Sequence, residues 1–113
     1  MFKKDIKYSL LLDFYGDILS ERKREIIELY YNEDLSLSEV SEITGISRQG
    51  VRDSIKKSEN ELAELEEKLG LAERFNCANE ELSEVISLLR SVKEKIDNDN
   101  INIAIEKLQK INF

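Results

Sequence analysis

Apolar residues recur every three or four positions along nearly the whole chain, which is the spacing of one face of an α-helix. The most telling stretch runs from residue 36 to about 57. Leu37, Val40 and Ile43 mark a short helix, Gly45 interrupts it, and Val51 and Ile55 give the next helix a buried side. Ser36 is placed to cap the short helix, with Glu39 three residues later to complete a capping box. Gly45 stands where a left-handed residue ends a helix, Ile46 points the turn into the core, and Ser47 caps the second helix. Together these predict a helix-turn-helix.

The remaining periodicity predicts four more elements. A first helix spans about Asp5 to Tyr15 and carries two apolar stripes, Tyr8/Leu11/Leu12/Tyr15 and Ile6/Leu10/Phe14. That surface is wider than one core contact needs, so the helix is either deeply buried in the monomer or part of a dimer interface. Gly16 and Asp17 end it. A second helix starts at Ser20 as N-cap and buries Ile26, Ile27, Leu29, Tyr30 and Tyr31. The helix begun at Ser47 continues to Leu69. Its stripe of Val51, Ile55, Leu62, Leu65 and Leu69, with Ser58 in the missing place, spans about three heptads. Gly70 closes it, and residues 71–78 read as a connector anchored by Phe75. A fifth helix, about 79–96, places Leu82, Val85, Ile86, Leu89, Val92 and Ile96 on one side. Asp97-Asn98-Asp99-Asn100 breaks the chain, and a last helix carries Ile101, Ala104, Ile105, Leu108 and Ile111. The expected fold is all-α: a helix-turn-helix domain over 1–70 with an N-terminal helix, and a C-terminal helical hairpin over 71–113.

Composition agrees with helix throughout. The 113 residues include no proline and four glycines, and 36% are charged. No apolar run approaches the roughly 20 residues that span a bilayer. Lys3, Asp5, Lys7 and Asp13 interrupt the start, so no secretory signal is expected. Cys77 is the single cysteine, which precludes an internal disulfide and fits a reducing cytoplasm. Burial is the commoner fate of such a residue.

Histidine is absent, which removes serine–histidine and cysteine–histidine nucleophilic schemes. One cysteine without histidine leaves no zinc ligand set, and Gly16, Gly45, Gly50 and Gly70 are too scattered for a phosphate-binding loop. Carboxylate pairs such as Glu66/Glu67 and Glu80/Glu81 read as solvated faces. No catalytic residue, metal or cofactor is expected, and the chain is not read as an enzyme.

The net charge of −7 opposes nucleic-acid binding, because phosphate neutralisation supplies much of such affinity. Its distribution changes the picture. Residues 47–57 hold Arg48, Arg52, Lys56 and Lys57 against Asp53 alone, whereas residues 58–73 hold six Glu against Lys68. A second basic cluster is Arg22-Lys23-Arg24. With Val51 and Ile55 buried, Arg48, Gln49, Arg52, Asp53 and Lys56 face outward, close to Ser47 and Lys57. Arginine can pair with guanine and glutamine with adenine, while Lys56 and Lys57 suit phosphates. These seven residues form the expected double-stranded-DNA interface, since a second motif helix can lie in the major groove. Gly50 costs about 1 kcal/mol of helix propensity relative to alanine. Either tight packing against the preceding helix or close approach to a DNA backbone accounts for it. Ser41 is small enough to face the crossing helix, with its hydroxyl expected to bond back to a carbonyl one turn earlier.

Two resemblances bear on these residues. Leu19-Ser20-Glu21-Arg22-Lys23-Arg24-Glu25, Tyr30-Tyr31, Leu35-Ser36-Leu37-Ser38-Glu39-Val40 and Ile46-Ser47-Arg48 resemble region 4 of bacterial sigma factors, which binds promoter DNA. More closely, Asp13-Phe14-Tyr15-Gly16, Glu28-Leu29-Tyr30-Tyr31, Ser47-Arg48-Gln49-Gly50-Val51, Asp53-Ser54-Ile55-Lys56-Lys57 and Glu66-Glu67-Lys68-Leu69-Gly70-Leu71 resemble the YlxM family of DNA-binding proteins. The likeness covers Leu12 to Leu71; the last forty residues match only in being helical. It implies a small, cytoplasmic, all-helical homodimer with a regulatory role in the signal recognition particle pathway.

Two functions are expected from these features. One is a DNA-binding regulator acting through Arg48, Gln49, Arg52 and Lys56. The other is a protein-interaction module that engages the signal recognition particle or its GTPase through the acidic stretch Glu59–Glu67, with Glu64, Glu66 and Glu67 as its contacts.

Overall fold

A computed structural model describes residues 4–96 and 98–111. Among these, six α-helices succeed one another: α1 (Ile6–Tyr15), α2 (Glu21–Tyr31), α3 (Leu37–Thr44), α4 (Arg48–Leu69), α5 (Leu71–Lys95) and α6 (Asp99–Gln109). A short 3₁₀ turn, Gly16–Ile18, joins α1 to α2. The chain divides into two compact units, one through Ala72 and one from Glu73.

Caps set the boundaries in the first unit. Asp5 accepts from the Lys7 amide, Ser20 from Lys23, Ser36 from Glu39 and Ser47 from Gly50, so each helix start satisfies one of its unpaired donors. The Ser36/Glu39 capping box forms in both directions, each bond 3.1 Å long. Gly45 and Gly70 close α3 and α4 in the left-handed region, at φ 76° and 62°.

α4 is the hub: α1, α2 and α3 all pack on it. Its proximal half joins Ile26, Tyr30 and Val40 around Val51 and Ile55, with Leu37 and Ile46 partly buried beside them. Its distal half places Leu62 among Leu11, Leu12, Tyr15, Leu19, Ile27 and Ala72. Most of the apolar surface of α1 is used here, with Tyr8, Leu10 and Phe14 packed at its margin; Ile6 is the exception, 87% exposed. The doubly apolar α1 is therefore explained by the core of its own chain.

Four expectations need correction. Residues 71–78 are helix, not connector, and α5 starts directly after Gly70. The first amides of α5 find side-chain partners: Leu71 N donates to the sequence-remote Tyr15 Oη at 3.0 Å and Ala72 N to Glu66 Oε1, near the end of α4, at 3.0 Å. Ile43 is 60% exposed, because an eight-residue helix between two turns buries only its Val40 face. Ser41 donates forward to the Ile46 carbonyl, and Thr44 makes the bond back to Val40 O instead. Cys77 is exposed.

The second unit has little core. Ile105 is its buried apolar side chain among the described residues, with Leu82, Ile86, Leu89, Ile101 and Leu108 half-buried. Val85, Leu88 and Val92 lie along one exposed face of α5, and exposed Ile96 follows directly after its end. A cleft of about 610 Å³ separates Arg90 and Lys93 of α5 from Asn102, Ile103 and Glu106 of α6. Asn98 caps α6, so the last helix begins at Asp99, within the expected break; Asp97 lies outside the described residues.

Candidate nucleic-acid interface

The turn between α3 and α4 is held by side chains rather than by length. Gly45 N donates to Ser41 O at 2.9 Å while the glycine takes its positive φ. Thr44 Oγ1 donates to Val40 O at 2.8 Å and accepts from Ile46 N at 3.3 Å. Arg22 reaches over from α2 and donates to Thr44 O at 3.3 Å. Orphan carbonyls at the end of α3 are thereby satisfied, and Ile46 is fixed against the core. A Cβ on Gly50 would stand 2.7 Å from Ile46 Cγ2 and 3.1 Å from Ser47 Oγ. The glycine thus accommodates the turn, with the body of α3 playing no part in its tightest contacts.

This scaffold presents the first turns of α4 to solvent. Arg48, Gln49, Arg52, Asp53, Lys56 and Lys57 are all exposed on α4, away from buried Val51, Ile55 and Ser58, and exposed Ser47 caps the start of the helix. Six of the seven sequence-derived residues thus share the exposed side of α4, and the seventh, Ser47, is its N-cap. Gln49 Nε2 donates to Asp53 Oδ1 at 3.0 Å. Arg48 also lines a shallow cleft of about 440 Å³ with Lys4, Tyr30, Ser36 and Ser38 at the start of α3. Lys4 is committed there to Asp34 Oδ1 at 2.8 Å and Leu35 O at 3.0 Å, and sits 4.5 Å from the centre of the Tyr30 ring. Its ammonium holds the Asp34 carboxyl below the ordinary range, first through the hydrogen bond and then through charge.

Other charges are structural. Of the second basic cluster, Arg22 pairs with Glu25, Lys23 with Glu61 at 3.3 Å, and Arg24 with Asp17 and Glu28. The acidic stretch is not a uniform solvated face. Glu66 accepts from Tyr15 Oη at 2.7 Å and from Ala72 N, so one of the three expected docking carboxylates belongs to the fold. Glu59 is only 8% exposed and accepts from Tyr31 Oη. Burial pushes its carboxyl above the ordinary value, with the Tyr31 bond acting in the opposite direction. Burial likewise raises the Tyr31 phenol. Sequence reasoning missed this pair, because Glu59 is one acid among many until folding sets Tyr31 beside it.

Among the described residues no group of three His, Cys, Asp or Glu side chains could hold a metal ion, and no helix is long and apolar enough to cross a membrane.

Comparison with known proteins extends the resemblance beyond its expected limits. The family model described as "UPF0122: Putative helix-turn-helix protein, YlxM / p13 like" matches residues 2–108, which includes most of the C-terminal unit. A UPF0122 protein of Desulforamulus reducens is 49% identical over 83 residues, covering 74% of this chain and 71% of that protein. Relatives in Thermoanaerobacter sp. (strain X514) and Acetivibrio thermocellus are each 41% identical. The first match covers 88% of this chain and 86% of that protein, and the second 90% and 84%.

Proposed function

Because the chain belongs to the UPF0122 family of YlxM-like helix-turn-helix proteins, we propose that it is a regulatory protein that binds double-stranded DNA with the first turns of α4 in the major groove. The observation that carries this is the coincidence of charge and shape. Residues 47–57 carry a net positive charge in an acidic chain and lie at the exposed start of the second motif helix, whereas the other basic cluster, Arg22-Lys23-Arg24, is ion-paired. Arg48, Gln49, Arg52 and Asp53 face base edges, while Ser47, Lys56 and Lys57 serve phosphates.

The test is fluorescence anisotropy with a duplex from the protein's own upstream region and with a random duplex, at about 50 and about 150 mM salt. Specific binding should survive the higher salt, and Arg48→Ala and Arg52→Ala should each weaken it by about 1–3 kcal/mol. Unchanged affinity in both variants defeats this assignment.

In this proposal the protein acts in the cytoplasm as a homodimer, whose two α4 helices read half-sites about one helical turn apart. Support for a second copy comes from the exposed row Val85, Leu88, Val92 and Ile96, not from α1. A monomer mass by light scattering at concentrations well above physiological rules the dimer out. The regulatory link to the signal recognition particle rests on the family resemblance; absence of binding to the purified particle removes it.

A further inference from the structure

The exposed face of α4 has a feature that phosphate attraction does not explain. At 3.6 residues per turn, Asp53 lies roughly opposite the buried Val51–Ile55–Ser58–Leu62 stripe, at the crest of the face. Gln49, Lys56 and Lys57 flank it. The side chain placed to enter a groove most deeply is therefore a carboxylate. Among the described residues it forms no ion pair, although four cations share its segment. Its contact is with Gln49, and chemistry fixes the direction of that bond. A carboxylate only accepts, so Gln49 turns its amide nitrogen toward Asp53 and leaves Oε1 as an outward acceptor.

The crest thus presents acceptors: the remaining lone pairs of Asp53 and the Gln49 carbonyl. Phosphates repel such a surface, and guanine O6 and N7 offer it no donor. Cytosine presents its N4 amine in the major groove with no acceptor beside it on the same base. Adenine also has an amine, but its N7 acceptor would face the carboxylate.

Resting on the DNA-binding proposal above, we infer that Asp53 is a specificity-determining residue that accepts from a cytosine N4 amine, and that Gln49 is its positioning residue. An exposed Gln–Asp pair one turn apart also steadies a helix slightly. A role in stability alone predicts a small change in melting and none in sequence preference.

The experiment is selection from a randomised duplex library with the full chain, followed by binding titrations of the selected site and its single-base variants. The wild-type chain should enrich in each half-site a C·G pair whose preference depends on Asp53, besides any that Arg48 and Arg52 select. Asp53→Asn should lose about tenfold of the preference at that pair and keep the rest of the site. It should also bind random duplex more tightly, because a charge that repels phosphate is gone. Gln49→Ala should blur the same position by a smaller factor. An Asp53→Asn chain that selects the same site with undiminished preference overturns the inference while leaving the DNA-binding proposal intact. Failure of the wild-type chain to enrich any sequence overturns both.

Discussion

Gly50→Ala separates two opposing effects that the structure allows to be weighed. Glycine within a helix is about 0.5–1 kcal/mol less favourable than alanine, so on propensity alone the change stabilises α4. The new methyl would meet Ile46 Cγ2 at 2.7 Å, a distance at which something must shift. Ile46 cannot yield freely. It is β-branched, it packs on the cluster around Val51 and Ile55, and its backbone is tied to Ser41 and Thr44. Overpacking of this kind costs about 1–3 kcal/mol. The steric effect wins, and Gly50→Ala should destabilise the protein by about 1 kcal/mol. Removing the obstacle should reverse the sign: in an Ile46→Ala background, which has no Cγ2, Gly50→Ala should stabilise by up to about 1 kcal/mol. Urea unfolding monitored by far-ultraviolet circular dichroism, on all four chains of this double-mutant cycle, measures the coupling. If Gly50→Ala has the same effect in both backgrounds, the turn does not require glycine at position 50 and the packing argument fails. Because Gly50 is in the first turn of α4, the same cycle reports how tightly the turn is coupled to the start of the helix that carries the candidate interface.

Two further outcomes arise from buried polar contacts. Folding disfavours the charged form of Glu59, so its contribution to stability is greatest below the ordinary carboxylate range and is lost as pH rises through its elevated value. Glu59→Gln keeps an acceptor for Tyr31 while facing Lys7, Lys56 and Asp5 without a charge. Its stability relative to wild type should therefore climb between pH about 4 and about 7, and parallel unfolding midpoints over that range refute the assignment. Tyr15→Phe removes the hydroxyl that donates to Glu66 and accepts from Leu71, and should cost about 1–3 kcal/mol. Hydrogen exchange at the Leu71 amide should accelerate; unchanged exchange and an unchanged midpoint contradict this role.

Much of the candidate interface was legible because it depends on local rules. Ser36, Glu39, Gly45, Ser47 and Gly70 act within one turn of their own positions, and all take the roles their types and spacing predict. The outward set on α4 is a consequence of helical period once Val51 and Ile55 are buried. The features that were missed depend on distance. Leu71 and Ala72 continue into helix because Tyr15 and Glu66 receive their amides, with Tyr15 more than fifty residues away. Glu59 reads as one acid among many until Tyr31 is placed beside it. Ile43 fits an apolar period, yet the helix is too short and too flanked by turns to bury it.

Order along the chain was enough to make it helical, to place the ends of its first four helices, and to turn a defined set of α4 residues outward. Caps, glycine conformations and apolar period are properties of neighbouring residues and survive without tertiary context. Which charges are free to meet a partner was settled by packing alone. Arg22, Lys23, Arg24, Glu61 and Glu66 are engaged by groups on other helices or at their ends, whereas Arg48, Lys56 and Lys57 stay at the surface. Pairing across helices depends on how their faces are brought together, and no local rule along the chain encodes that.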